Sequence, residues 1–127
     1  MPRHTFRKQE VLRGTTRIRA LMAGGRSVNV APFRLTAMYM ELPTPYPAQV
    51  AFAVPRRVLR HAVDRNRVKR LMREAWRLNK EQWYGRLREK ERQCAVLIVY
   101  RGDARLTLTA AALKISRAME RWLNEHG

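Results

Sequence analysis

Seven consecutive apolar residues at positions 94–100, Cys-Ala-Val-Leu-Ile-Val-Tyr, form the longest apolar run in the sequence. An uninterrupted run of this length is typical of a strand in the centre of a sheet. A membrane-spanning helix needs about 20 apolar residues, so this run is too short to cross a bilayer. We therefore expect a globular domain with a central strand and no membrane partner.

Two further strands are predicted on the N-terminal side of this run. Over residues 33–40, Phe33, Leu35, Ala37 and Tyr39 alternate with Arg34, Thr36, Met38 and Met40, which is the period of a half-buried strand. Residues 49–54 follow as a second strand, which ends at Pro55. Between them, residues 42–47 contain three prolines, which lack backbone donors and indicate a loop.

Three segments carry apolar residues at helical spacing. The first is about two turns long; it begins at a cap on Thr15 or Thr16 and ends at a Gly-Gly pair, where a left-handed terminal residue is expected. The second covers residues 64–80, with Asp64 available to cap its first turn. The third is capped by Thr109 and carries an apolar face that closes the core.

The order of these elements predicts an α/β fold, more closely an α+β sandwich. We expect a small central sheet of three to four strands with helices packed on it. Gly85 and the charged residues 86–93 are expected to break or fray the second helix before the central strand. Residues 1–14 are basic with little periodicity and predict a flexible arm, which leaves residues 15–127 as a single domain.

Positive charge is concentrated between the second strand and the second helix. The chain has 27 Lys and Arg against 10 Asp and Glu, a formal net charge of +17. Like charges four residues apart on a helix repel by roughly 0.2 to 0.5 kcal/mol per pair, and a bound polyanion would remove that cost. The basic residues of this segment are Arg56, Arg57, Arg60, Arg65, Arg67, Lys69, Arg70, Arg73 and Arg77, opposed only by Asp64 and Glu74.

The residue types in this segment favour phosphate as the ligand. Arginine outnumbers lysine, and its planar guanidinium forms bidentate contacts with phosphate. Asn66 adds an amide that can both donate and accept. Residues 65–67 lie in the first turn of the predicted helix, where free backbone N–H groups already favour an anion. The alternative is a merely solvated basic face, but such faces usually interleave acidic residues.

The sequence VPRR at residues 54–57, followed by AVDRNRVKRLMREAWR at residues 62–77, resembles the protein subunit of bacterial ribonuclease P. The signature of that family is an Arg-Asn-Arg helix after a basic strand end, and residues 65–67 match it. Length, charge and element order agree over nearly the whole chain. The resemblance implies a ribosomal-protein-S5-domain-2-like sandwich in which the helix between the second and third strands makes a left-handed βαβ crossover, against the usual right-handed rule.

The resemblance also implies a function. In that family the catalyst is an RNA subunit, which uses Mg²⁺ to hydrolyse one phosphodiester bond and remove the 5′ leader from precursor tRNA. This chain is then expected to bind the RNA subunit and precursor tRNA, to supply no catalytic residue, and to leave Mg²⁺ mainly to the RNA. No obligatory protein partner is expected. The implied RNA-subunit-binding residues are Arg56, Arg57, Arg60, Arg65, Asn66, Arg67, Lys69, Arg70 and Arg73.

A second surface is implied for the leader, between the first helix and the face of the sheet. The family often has apolar or aromatic side chains there, and two of the corresponding residues here, Arg34 and Thr36, depart from that pattern. Stacking of a base on an aromatic ring tolerates any base, which suits leaders of varied sequence. The implied leader-binding residues are Ile18, Met22, Phe33, Arg34 and Thr36.

Other chemistry is poorly supported by the sequence. The three histidines are far apart and Cys94 is the only cysteine, so no zinc-type spacing exists and Cys94 is expected to be a core residue. Trp76 could be buried or could contact RNA.

No secretion signal opens the chain, which favours the cytoplasm. The alternative functions are a ribosomal structural protein of similar fold and a general nucleic-acid chaperone or DNA-binding protein.

Overall fold

The computed structural model describes residues 5–126, which form a mixed α/β fold of four strands and three α-helices. The expectation of a small sheet with helices packed on it is therefore confirmed. A short 3₁₀ helix, Lys8–Glu10, precedes them. The remaining elements are α1 (Thr15–Gly24), β1 (Arg26–Val30), β2 (Phe33–Tyr39), β3 (Ala48–Ala53), α2 (Ala62–Glu89), β4 (Cys94–Tyr100) and α3 (Leu108–His126).

The sheet has the strand order β1-β2-β4-β3. β4 is an interior strand, as its apolar sequence predicts, and it pairs antiparallel with β2 and parallel with β3. Because β3 and β4 are parallel, β3-α2-β4 is a βαβ crossover. The left-handedness of this crossover stays a prediction. The sequence patterns do not predict β1, because this strand is short and buries only Val28. It is held by antiparallel pairing with β2 across the turn at Ala31-Pro32.

The two faces of the sheet are covered by different helices. α2 and α3 cover one face and form the larger core, which includes all three tryptophans of the chain. The smaller core lies on the other face, where Leu21 of α1 packs with Ala95 of β4. The sequence leaves Trp76 either buried or in contact with RNA. In the structure, Trp76 is fully buried in the larger core and does not contact solvent.

α2 is longer than the sequence predicts, because it continues through Gly85 to Glu89. Trp83, Tyr84 and Leu87 extend its buried stripe past residue 80. Burial of these large side chains outweighs the helix-propensity cost of one glycine, which is about 1 kcal/mol. The expectation that the helix breaks at Gly85 is therefore wrong.

The helix caps also differ from expectation. α1 begins after Gly14 rather than at a threonine cap, and it ends at Gly25 with φ −73°, which is not left-handed. His61, not Asp64, occupies the position before α2. Thr107, not Thr109, caps α3, because its Oγ1 accepts a hydrogen bond from the N–H of Ala110 at 3.1 Å.

The N-terminal segment belongs to the domain. Leu12 is buried, and its N–H donates to the carbonyl of Val50 at the edge of β3. The side chain of Glu10 is fully buried and accepts hydrogen bonds from Lys80 and Tyr84, each at 2.7 Å. The predicted flexible arm is thus wrong for residues 8–12, while its first four residues lie outside the described residues.

Candidate nucleic-acid interface

The face of α2 opposite the core carries the predicted basic residues. Val68, Met72 and Ala75 are fully buried against the sheet, so the helix presents its charged positions to solvent. Lys69, Arg70 and Arg73 are all exposed. The turn between β3 and α2 adds more exposed positive charge, from Arg56, Arg57 and Arg60.

Two arginines of the Arg-Asn-Arg motif hydrogen-bond to backbone next to the helix. Arg65 Nη1 donates to the carbonyls of Leu59 at 2.9 Å and Arg60 at 2.8 Å, which ties the preceding loop to the helix. Arg67 donates to the carbonyls of Ala104 at 2.8 Å and Leu106 at 2.9 Å in the loop before α3. Both guanidiniums therefore position loops at the N-terminal end of α2.

The other predicted side chains of α2 line a groove along β3. The groove lies between the first half of α2, the β3 edge and the N-terminal segment, and its volume is about 420 Å³. The groove has a polar rim and an apolar floor. The sequence predicts the basic residues of the rim but not the residues of the floor. The rim consists of Asn66, Lys69, Arg70 and Arg73, and the floor consists of Phe6, Val11, Val50, Ala51 and Phe52.

The groove is electropositive. Among the described residues that line it, none is acidic. Glu74 is the nearest acid along the helix, and it forms an ion pair with Arg77 rather than with a groove residue. The hydrogen bond from Arg77 holds the pKa of Glu74 below its ordinary value, so Glu74 is ionised at neutral pH and offsets the charge of Arg77. Lys69, Arg70 and Arg73 keep an unopposed positive field suited to a polyanion.

Four of the five predicted leader-binding residues lie on the same side of the sheet, and Phe33 does not. Thr36 of β2 lies beside Gly25, at the end of α1. Its hydroxyl is 2.8 Å from the hydroxyl of Ser27, which also accepts a hydrogen bond from Nη2 of Arg34 at 3.3 Å. Met22 is 67% exposed on α1, and Ile18 is half-buried in the smaller core. These four residues lie on or beside the α1 side of the sheet.

Phe33 does not belong to that surface. Side chains alternate along β2, so Phe33 points to the opposite face from Arg34 and Thr36. It is 2% exposed and packs in the larger core, with its ring centroid 5.4 Å from that of Tyr100. The expectation that Phe33 contacts the leader is therefore wrong.

The described residues offer neither a cluster that could hold a metal ion nor a helix that could cross a membrane. In the part of the chain from residue 5 to residue 126, no three His, Cys, Asp or Glu side chains cluster in a way that could hold a metal ion. Over the same residues, no helix combines the length and apolar character needed to cross a membrane.

Cys94 is buried on β4, and burial raises the pKa of its thiol to about 12, so it is a neutral core residue.

Comparison with known proteins gives one consistent result. The Ribonuclease P family model matches residues 6–125. The ribonuclease P protein component of Chlorobium phaeobacteroides is 40% identical over 84 residues, which cover 64% of this chain and 58% of that protein. That of Chlorobaculum tepidum is 59% identical over 34 residues, 27% of this chain and 22% of that protein. The chain thus aligns with less than two thirds of either relative's length.

Solved structures with the same fold carry the same description. The ribonuclease P protein of Staphylococcus aureus superposes with a TM-score of 0.68 at 14% identity, over 90% of this chain and 95% of that one. The ribonuclease P protein of Thermotoga maritima also gives 0.68, at 18% identity, over 88% of this chain and 96% of that one. At these identities the likeness concerns the fold.

Proposed function

Because the chain belongs to the ribonuclease P protein family, we propose that it binds the catalytic RNA subunit of ribonuclease P and the 5′ leader of precursor tRNA. In this role it assists the RNA-catalysed, Mg²⁺-dependent hydrolysis that releases the leader. The protein acts as an accessory subunit of the endoribonuclease and contributes binding rather than a general base. It works in the cytoplasm and needs no obligatory protein partner.

One observation carries the proposal for the RNA subunit. Lys69, Arg70 and Arg73 project from one exposed face of a helix whose opposite face is locked into the core. Neutralising RNA phosphates with such a rigid array releases counterions, which makes binding favourable and salt-dependent. Arg56, Arg57 and Arg60 extend the same field at the end of β3. Arg65 and Arg67 support it by fixing the adjacent loops.

Mg²⁺ belongs to the RNA in this proposal. The described side chains offer no cluster of His, Cys, Asp and Glu that fits a resident metal ion, so they do not suit a protein-held site. Positive charge on α2 can instead lower the ionic cost of folding the RNA, which otherwise needs more dissolved Mg²⁺. The protein is therefore expected to matter most at low Mg²⁺ concentration.

The leader surface is proposed on the α1 side of the sheet, around Ile18, Met22, Arg34 and Thr36. Arg34 is exposed and can hold a leader phosphate, while Met22 offers an exposed apolar contact. Affinity for the leader adds binding energy that mature tRNA does not receive, so the protein favours substrate over product.

The test is precursor-tRNA cleavage by the cognate catalytic RNA at low Mg²⁺, with and without the protein, with mature-tRNA binding as the control. We expect site-specific cleavage to be restored by the protein and precursor to bind more tightly than mature tRNA. If the folded protein binds RNA but restores no cleavage, the proposal is wrong. Co-sedimentation with ribosomal subunits at high salt would then support a ribosomal structural role.

A further inference from the structure

We propose that the groove between β3 and α2 binds one unstacked RNA base, with the neighbouring phosphates held by Lys69, Arg70 and Arg73. This inference rests on the proposed RNA-binding function and makes it more specific. It assigns Phe6 and Phe52, which lie in the floor of the groove, a direct role in RNA recognition.

The floor of the groove presents two aromatic rings. The ring centroids of Phe6 and Phe52 are 6.2 Å apart and the rings are tilted by 52°, so they form a continuous apolar corner. Both side chains are only half-buried, although each packs against the larger core. An aromatic ring that is fixed on one side and open on the other is suited to stacking with a base.

The rim supplies the groups that a nucleotide needs around its base. The guanidinium of Arg73 lies over the Phe6 ring, 5.3 Å from its centroid, so positive charge adjoins the apolar corner and the face of Phe52 is the one left for a base. Asn66, at the N-terminal end of the rim, carries an amide that can pair with a base edge. A cavity of about 420 Å³ falls within the roughly 300 to 1,000 Å³ typical of small-ligand sites, so it accommodates a nucleotide.

The N-terminal segment that borders the groove is fixed to β3 and α2. Val11 forms a parallel bridge with Val50, and the N–H of Leu12 donates to the carbonyl of Val50, so the N-terminal segment covers the first half of the β3 edge. Phe52 lies two residues further along the strand, where its ring packs against Phe6 of the same segment. The buried contacts of Glu10 with Lys80 and Tyr84 anchor the segment that carries Phe6.

The test compares two labelled six-nucleotide probes with the full-length protein by fluorescence anisotropy. One probe is oligouridine and the other has the same ribose-phosphate backbone without bases. We expect oligouridine to bind about 5- to 150-fold more tightly, as one stacked base contributes. The variant Phe52→Leu keeps apolar volume without the aromatic face. It should lose most of this preference while the salt dependence stays the same. Leu113→Ala, which alters an exposed apolar residue of α3, should keep the preference.

A second measurement locates the base without a variant. An oligouridine that contains 5-iodouridine is irradiated with the wild-type protein, and the crosslinked residue is identified by mass spectrometry. Crosslinks at Phe6 or Phe52 support the proposal. Equal affinity of the two probes, or crosslinks confined to other aromatic residues, would overturn it. Restored cleavage at low Mg²⁺ in that case would leave the proposed function intact and reject only the base site.

Discussion

Arg67 on α2 donates a hydrogen bond from Nη1 to the carbonyl oxygen of Ala104, 2.8 Å away and 37 positions later in the chain. Its Nη2 donates to the carbonyl of Leu106 in the same loop. A residue of the basic motif therefore joins α2 to the connection between β4 and α3. The charge of Arg67 contributes to the basic field, while its hydrogen bonds serve the fold.

Arg67→Ala is expected to lower the free energy of unfolding by about 1 kcal/mol, because two carbonyls lose a charged donor in a partly exposed setting. Urea denaturation measures this change. Arg70→Ala is the matched control, since Arg70 is exposed and lines the groove, and its unfolding curve should stay within about 0.5 kcal/mol of wild type. Identical curves for Arg67→Ala and wild type would contradict the structural role.

Removing the buried carboxylate of Glu10 is expected to destabilise the protein strongly. Glu10→Ala leaves the Lys80 ammonium buried without its ion-pair partner, which typically costs about 3 to 5 kcal/mol. The double variant Glu10→Leu with Lys80→Met should recover most of that loss, because no buried charge is left. Thermal and urea unfolding compare the three proteins, and a double variant no more stable than Glu10→Ala would contradict this explanation.

Two glycines should respond to alanine in opposite directions. At Gly25 an added Cβ would lie 2.8 Å from Cγ2 of Thr36 and even closer to the carbonyl oxygen of Leu21, so Gly25→Ala should cost roughly 1 to 3 kcal/mol. At Gly85, within α2, the same atom meets nothing within 4 Å. Gly85→Ala should therefore stabilise the protein by about 0.5 to 1 kcal/mol. Unfolding curves that move in the same direction would contradict the model of these two sites.

Cys94 is expected to resist alkylation in the native protein. Burial raises its pKa to about 12, so at pH 8 only about one thiol in ten thousand is ionised, and the thiolate is the reactive form. Iodoacetamide should modify Cys94 slowly in buffer and fast after unfolding in urea, as followed by mass spectrometry. Because the pKa is raised, reactivity should increase only at strongly alkaline pH. Rapid modification of the folded protein at pH 8 would contradict this assignment.

Local sequence patterns predicted the elements that bury a long apolar stripe. β4 has seven consecutive apolar residues, and β2 alternates clearly, so both were found with nearly correct ends. β1 has only one buried residue, and its existence depends on pairing with β2. The continuation of α2 depends on burial of Trp83 and Tyr84 in the larger core and on the hydrogen bond from Tyr84 to Glu10, which local sequence patterns do not predict.

The basic side of the candidate site was predictable, and its apolar side was not. Lys69 and Arg73 are four residues apart, which predicts one row on the helix from sequence alone. The same spacing puts Arg70 on the far face of the helix, and only the structure shows that it lines the same groove. Phe6 and Phe52 reach the same groove from separate segments, through the bridge between Val11 and Val50. Such a meeting depends on tertiary contacts over about 40 residues of chain. The placement of Phe33 beside Arg34 and Thr36 came from the family resemblance, and it conflicts with strand alternation, which puts Phe33 on the opposite face.

The most direct test of the account is the salt dependence of binding to the cognate catalytic RNA. For Arg70→Ala, the slope of log affinity against log salt concentration should become less steep by about one unit, as the loss of one phosphate contact predicts. Arg117→Ala removes an exposed arginine from α3 near the opposite edge of the sheet and serves as the matched control, with a smaller change. If Arg70→Ala binds with the wild-type slope, α2 does not contact the RNA as proposed.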